Sequence, residues 1–124
     1  MTRTAWTVQA FGAYLIVLSL GLMAAPNLLL PLFGMPRTSE VWIRVAGLAV
    51  FNEGACYWFA AKSSATLFFR ASGYLRCLAP VVFGLFVLAG LANPPLIGFG
   101  LVDLAAGVWT LLTLRSEARA ASGA

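Results

Sequence analysis

Long uncharged stretches dominate the hydrophobic pattern of this chain. Each is close to the roughly 20 apolar residues that a helix needs to cross the hydrocarbon core of a bilayer. The pattern predicts four such helices, at about residues 6–25, 41–61, 72–92 and 96–114. Lipid offers no hydrogen bonds to the backbone, so spans of this kind fold as helices. We therefore predict an all-α protein with a single transmembrane domain.

Prolines interrupt the stretch that joins the first two predicted helices. Pro26, Pro31 and Pro36 lie close together there, and proline removes a backbone donor and clashes with the preceding helical turn. We predict that residues 26–36 form an interfacial segment. Short polar links at residues 62–66 and 93–95 separate the other helices. Such links favour antiparallel neighbours, so the expected fold is an integral membrane antiparallel four-helix bundle.

Positive charges are distributed unevenly between the two ends of this predicted bundle. One end has only Arg37 and Arg44. The other end has six basic residues: Arg3, Lys62, Arg70, Arg76, Arg115 and Arg119. Short loops rich in arginine and lysine remain on the cytoplasmic side of a membrane. We predict a multi-pass protein of the bacterial inner membrane with both termini in the cytoplasm.

Composition supports a membrane protein and argues against several function classes. Apolar residues make up 61% of the chain and charged residues 10%, whereas soluble domains carry about 25% charged residues. The net charge of +4 comes from scattered basic residues, so we expect no nucleic-acid partner. The chain has no histidine, which is the commonest metal ligand and catalytic base. We predict no metal site and no catalytic set.

Four charged residues lie within the predicted helices, where an unpaired charge is costly. A rise of about 1.5 Å per residue places them at alternating depths. Asp103 is expected to face Arg44, and Glu53 to face Arg76, in one polar seam. Snorkelling of the two arginines to lipid headgroups is the alternative. Either structural interpretation explains these arginines better than catalysis does.

Glu53 is the strongest candidate for a functional polar residue. It lies near the middle of the second predicted helix beside Asn52, with Cys56 and Tyr57 on the same face. Burial disfavours a charged carboxylate, so Glu53 is either a neutral hydrogen-bonding group or a proton-exchanging site. Function and structure are equally open for Glu53. For Asp103 we favour structure.

The two cysteines, Cys56 and Cys77, have similar expected depths in consecutive helices, so they are able to touch. A redox pair is one interpretation. We favour two small buried hydrophobic residues, because cysteine commonly has that role and the spacing is not Cys-x-x-Cys.

Small residues recur on one face of each of the last two predicted helices. They are Gly73, Cys77, Pro80, Gly84 and Val87 on the third helix, and Gly100, Asp103, Gly107 and Thr110 on the fourth. Such faces allow membrane helices to approach closely.

Three segments resemble the small four-helix bacterial membrane proteins of the DoxX-like type. They are residues 25–34 (APNLLLPLFG), 40–44 (EVWIR) and 100–104 (GLVDL). The resemblance extends over nearly the whole chain and includes no catalytic motif. It implies an association with membrane redox complexes.

The sequence leaves three function classes open. We favour a non-enzymatic accessory or oligomer-forming bundle that holds a lipid-like ligand, with a second copy or another membrane protein as its partner. The alternatives are a small oligomeric transporter or channel, and a membrane enzyme acting on a quinone-like or apolar substrate. No cofactor is specified. The candidate ligand or ion-pathway residues are Glu53, Asp103, Asn52, Arg44, Arg76 and Tyr57.

Overall fold

The computed structural model describes residues 2–123, which form helices and connecting turns without any strand. The all-helical prediction is confirmed. The α-helices are α1 (Arg3–Ala24), α2 (Pro26–Leu29), α3 (Trp42–Ser63), α4 (Thr66–Leu88) and α5 (Leu96–Ala121). A short 3₁₀ helix, Leu30–Phe33, directly follows α2.

Three of these helices, α1, α4 and α5, are long enough and apolar enough to cross a membrane. Their outward surfaces are apolar too: Val17, Leu67 and Leu88 are 71%, 80% and 85% exposed. Large exposed apolar surfaces are unusual in soluble monomers, so this pattern supports a membrane protein. Helix α3, which corresponds to the second predicted span, has 22 residues and is long enough. It is not among these three apolar helices, because Arg44, Glu53 and other polar residues lower its hydropathy.

The helices pack as two pairs, α1 with α3 and α4 with α5. In each pair, glycines bring two backbones into close contact. A Cβ atom on Gly12 would lie 3.0 Å from the carbonyl oxygen of Gly54, and one on Gly107 would lie 2.7 Å from that of Gly73. The predicted small-residue faces of the last two helices therefore do meet. Gly84 takes no part, because its Cβ would have no neighbour within 4 Å.

Contacts between α1 and α5 join the two pairs, whereas the consecutive helices α3 and α4 make little backbone contact. The tightly packed core lies near the chain termini. It consists of Ala5, Val8, Phe11, Leu15, Tyr57, Ala61 and Phe69. The half of the bundle near residues 26–36 contains a cavity with a mainly apolar wall.

Helix α4 begins earlier than the hydropathy pattern predicts. Ser64 adopts a left-handed conformation with φ of 53° and ends α3, and α4 starts only two residues later, at Thr66. The prediction began this helix at residue 72. Arg76 is consequently the eleventh residue of α4, near the helix centre rather than close to its start.

Helix α5 extends to Ala121, beyond the predicted end at residue 114. The alanines of this extension are strong helix formers. The extension also contacts the beginning of α1, because the backbone N–H of Thr4 donates to Glu117 Oε1 at 2.9 Å. A carboxylate at a helix N-terminus satisfies a free N–H and interacts favourably with the helix dipole.

The segment between α1 and α3 folds back over the open end of the bundle. The ring centroids of Phe33 and Phe99 are 4.9 Å apart, so the segment reaches α5. Gly34 follows with φ of 73°, a left-handed conformation that glycine adopts without steric cost. A Cβ there would lie 3.2 Å from Pro95 Cγ. This segment closes one end of the cavity.

Candidate ligand cavity and its polar residues

The outer cavity lies between the two helix pairs, beneath the segment that follows α1. Its volume is about 340 Å³, within the range of about 300–1,000 Å³ that is typical of small-molecule sites. Most of its wall is aliphatic or aromatic. Among its lining residues are Tyr14, Leu22, Leu30, Phe33, Ala46, Glu53, Phe99 and Asp103.

Glu53 and Asp103 are the charged residues that line the outer cavity. Glu53 comes from the middle of α3 and is exposed, whereas Asp103 comes from α5 and is half-buried. Neither carboxylate forms an ion pair among residues 2–123, and Glu53 lies beside the hydroxyl of Tyr57. An apolar cavity thus has two acidic groups without a basic partner at its inner end.

A second, inner cavity of about 550 Å³ lies between α3 and α4. It begins at the same two carboxylates and extends toward Phe68, in the first turn of α4. Tyr57 and Arg76 also line it. Glu53 and Asp103 therefore lie where the outer and inner cavities meet.

Arg76 is buried at the centre of the bundle and is only 3% exposed. Its guanidinium carbon lies 4.7 Å from the ring centroid of Phe11 and 5.3 Å from that of Tyr57. Both contacts are cation–π interactions. The prediction that Arg76 snorkels to lipid headgroups is wrong, because α4 begins six residues earlier than expected and carries this side chain into the interior.

A chain of hydrogen bonds links Arg76 to two other helices. Arg76 Nη2 donates to Thr110 Oγ1 at 3.0 Å, and the Thr110 and Thr7 hydroxyl oxygens are 2.8 Å apart. Thr7 Oγ1 is also 2.7 Å from the carbonyl oxygen of Thr4. A hydroxyl donates one proton. Thr7 therefore donates to Thr4, and Thr110 donates to Thr7 while accepting from Arg76.

The predicted ion pairs do not form. Among residues 2–123 no carboxylate oxygen lies within 4.0 Å of an arginine or lysine nitrogen. Arg44 Nη1 instead donates to the carbonyl oxygens of Met23 and Ala24, which are free because α1 ends there. Arg76 does line the inner cavity together with Glu53, so these two residues are neighbours without a direct pair.

The remaining predicted site residues, Asn52, Cys56 and Cys77, do not lie together. Asn52 is exposed and lines neither the outer nor the inner cavity. Cys56 lines the inner cavity, whereas Cys77 lies at the contact of α4 with α5, beside Gly107. Both thiols are free, and Cys56 is exposed. The prediction of two buried hydrophobic cysteines is therefore wrong for Cys56, because α3 turns that side chain into the gap between the helix pairs.

The polar residues of α1 are the part of the interior that the sequence prediction missed. Thr4 and Thr7 are 0% and 2% exposed, and Gln9 is 9% exposed. They stand out within an otherwise apolar helix, and polar side chains in apolar helices generally face other helices. Their clustering near the N-terminus was the available indication of a polar contact.

Within the part of the chain that the structure describes, no three side chains of the metal-binding types His, Cys, Asp and Glu lie close enough together to hold a metal ion. The chemistry available in the cavities is instead that of carboxylates, hydroxyls and one buried guanidinium. Comparisons with protein-family models, with curated proteins and with solved structures gave no match for this chain.

Proposed function

We propose that α3 is a fourth transmembrane helix and that both termini face the cytoplasm of a bacterium. The charged groups of α3 support a spanning position, because each has a place outside the lipid. Arg44 binds the end of α1, and Glu53 faces the cavities. Lys62 lies in the last turn, 5.8 Å from the ring of Trp58.

The uneven charge of the two ends supports this orientation. With Arg76 buried, five basic residues remain near the termini and the link between α3 and α4, against two near residues 37–44. The five are Arg3, Lys62, Arg70, Arg115 and Arg119. The end with the termini therefore still has more basic residues than the other end, and the more basic end is the one that remains in the cytoplasm.

For the function itself, we propose a non-enzymatic membrane bundle that binds a lipid-like ligand in the outer cavity. One observation carries the proposal: a cavity of about 340 Å³ with a mainly apolar wall, which lies between the helix pairs beneath the segment that follows α1. Interiors are normally packed without large voids. An apolar molecule that fills the cavity would restore the contacts that its wall lacks.

Native mass spectrometry of protein released from its own membranes tests this function. We expect the wild-type protein to carry a bound apolar molecule, and Ala46→Phe to lose it because the new ring occupies the cavity. Ala49→Phe is the matched control, since Ala49 is exposed on the same helix and does not line the cavity. Equal occupancy in the three proteins, or none in the wild type, contradicts the proposal.

A second candidate, an oligomeric transporter, is favoured by the position of Glu53 and Asp103 where the two cavities meet. Polar or ionisable side chains at such points frequently mark a substrate or ion path. Proton flux into proteoliposomes tests it. Glu53→Gln is compared with Glu40→Gln, which changes an acid in the α1–α3 loop. Flux that both variants retain equally removes Glu53 from the mechanism.

A further inference from the structure

The charge of the outer cavity is one-sided. Its charged lining residues are the acids Glu53 and Asp103, and no basic side chain from residues 2–123 pairs with either of them. A cavity that merely accommodated a neutral lipid would need no carboxylates. Placing charged groups beside apolar walls is costly unless an opposite charge compensates them.

Arg76 is the basic residue that borders these carboxylates; two of its nitrogens donate to other groups, and its buried Nη1 has no hydrogen-bond partner. Its guanidinium donates to the Ser72 carbonyl and to Thr110, and it lies over the rings of Phe11 and Tyr57. It borders the inner cavity and is absent from the wall of the outer one. One positive charge thus adjoins two acidic groups, and the imbalance lies on the side of the outer cavity.

We propose that the ligand of the outer cavity is a lipophilic amine. Its positively charged nitrogen lies against the carboxylates of Glu53 and Asp103, and its apolar tail extends toward Leu22 and Phe33. This inference rests on the proposed function, namely that the cavity holds an amphiphile, and it specifies the charge of that amphiphile. A second positive charge at this point balances the two carboxylates together with Arg76.

The wall of the cavity suits such a cation in a second way. Tyr14 and Phe99 line it together with aliphatic residues, and aromatic faces attract organic cations such as quaternary ammonium groups. An anionic amphiphile would place its headgroup against two acids, which repel it. The direction of the charge preference is therefore the distinguishing property of the site.

Three ligands with the same tail and different heads test the proposal: decylamine, which is a protonated ammonium at neutral pH, decanol and decanoate. Binding of each radiolabelled ligand is measured on wild-type protein in lipid nanodiscs, with empty nanodiscs subtracted. We expect the ammonium ligand to bind about 10- to 100-fold more tightly than decanol, because a charge-assisted contact adds that much. Decanoate should bind most weakly.

Glu53→Gln and Asp103→Asn should each reduce this ammonium preference while leaving decanol binding intact, which also shows that the variant is folded. Glu40→Gln, which removes an acid outside the cavity, should retain the full preference. Decanol binding equal to or tighter than ammonium binding overturns the amine proposal but leaves the proposed function standing. Failure of all three ligands to bind overturns both. Tighter binding of decanoate also overturns the amine proposal.

Discussion

The hydroxyl oxygens of Thr7 and Thr110 lie 2.8 Å apart and connect α1 to α5, the contact that joins the two helix pairs. Thr110 also accepts a hydrogen bond from the buried guanidinium of Arg76. Thr110 therefore forms hydrogen bonds both to the cationic side chain of Arg76 and to Thr7 of α1. Removing its hydroxyl leaves Arg76 Nη2 with only the Ser72 hydroxyl oxygen, 3.5 Å away, as an acceptor.

Thr110→Val should accordingly lower the free energy of unfolding by about 1–3 kcal/mol, the cost of leaving a buried polar group unsatisfied. Thr113→Val is the control, because the Thr113 hydroxyl donates only to the carbonyl of Trp109 in its own helix. Unfolding by increasing mole fractions of sodium dodecyl sulfate, followed by circular dichroism, measures both. In an Arg76→Met background the Thr110→Val effect should shrink. Equal effects of the two valine substitutions would show that the hydrogen-bond chain is energetically unimportant.

The contact of α4 with α5 depends on a glycine. A Cβ at position 107 would lie 2.7 Å from the carbonyl oxygen of Gly73, so Gly107→Ala should separate the helices and cost about 1–3 kcal/mol of stability. Gly84→Ala is the matched change in open space, and it should be neutral or stabilise α4 by up to about 1 kcal/mol, since alanine favours helix. The same detergent titration compares them, and a Gly107→Ala protein as stable as Gly84→Ala contradicts the close contact.

Arg44 holds the junction between α1 and α2 through the carbonyl oxygens of Met23 and Ala24. Arg44→Ala should cost about 0.5–1.5 kcal/mol, because the carbonyls at the end of α1 lose a charged donor. It should also speed amide hydrogen exchange in residues 25–35. Arg37→Ala removes an exposed arginine from the adjoining loop and should change neither quantity. Unchanged exchange in Arg44→Ala would mean that the segment over the cavity is held by its apolar contacts alone.

The proposed membrane topology, with four spanning helices and both termini in the cytoplasm, predicts the labelling pattern of single cysteines. In a Cys56→Ala, Cys77→Ala background, Ser39→Cys and Asn93→Cys should react with a membrane-impermeant maleimide added outside the inner membrane. Ser63→Cys and Ser122→Cys should react only after lysis. All four positions are exposed, so side-chain burial does not prevent labelling. Labelling of Ser39→Cys and Ser63→Cys from the same side would show that α3 does not cross the bilayer.

Helical class and apolar character followed from local sequence because hydropathy and chain length are properties of each segment by itself. The small-residue faces were also readable, since residues spaced three or four apart share one side of a helix. The start of α4 could not be predicted in this way. The left-handed Ser64 allows a much shorter turn than the polar link at residues 62–66 suggests. That one difference changed Arg76 from a terminal residue into a central one.

The sequence by itself determined that this protein is a set of apolar helices containing a few acidic and basic groups. Only the tertiary structure decided which of those groups meet. Glu53 and Asp103 converge on one cavity, while Arg76 is buried on aromatic rings and Arg44 binds the end of α1. The physical reason is that hydrophobicity acts on each segment separately. Partnership between distant side chains depends on how far each helix is rotated and shifted against its neighbours.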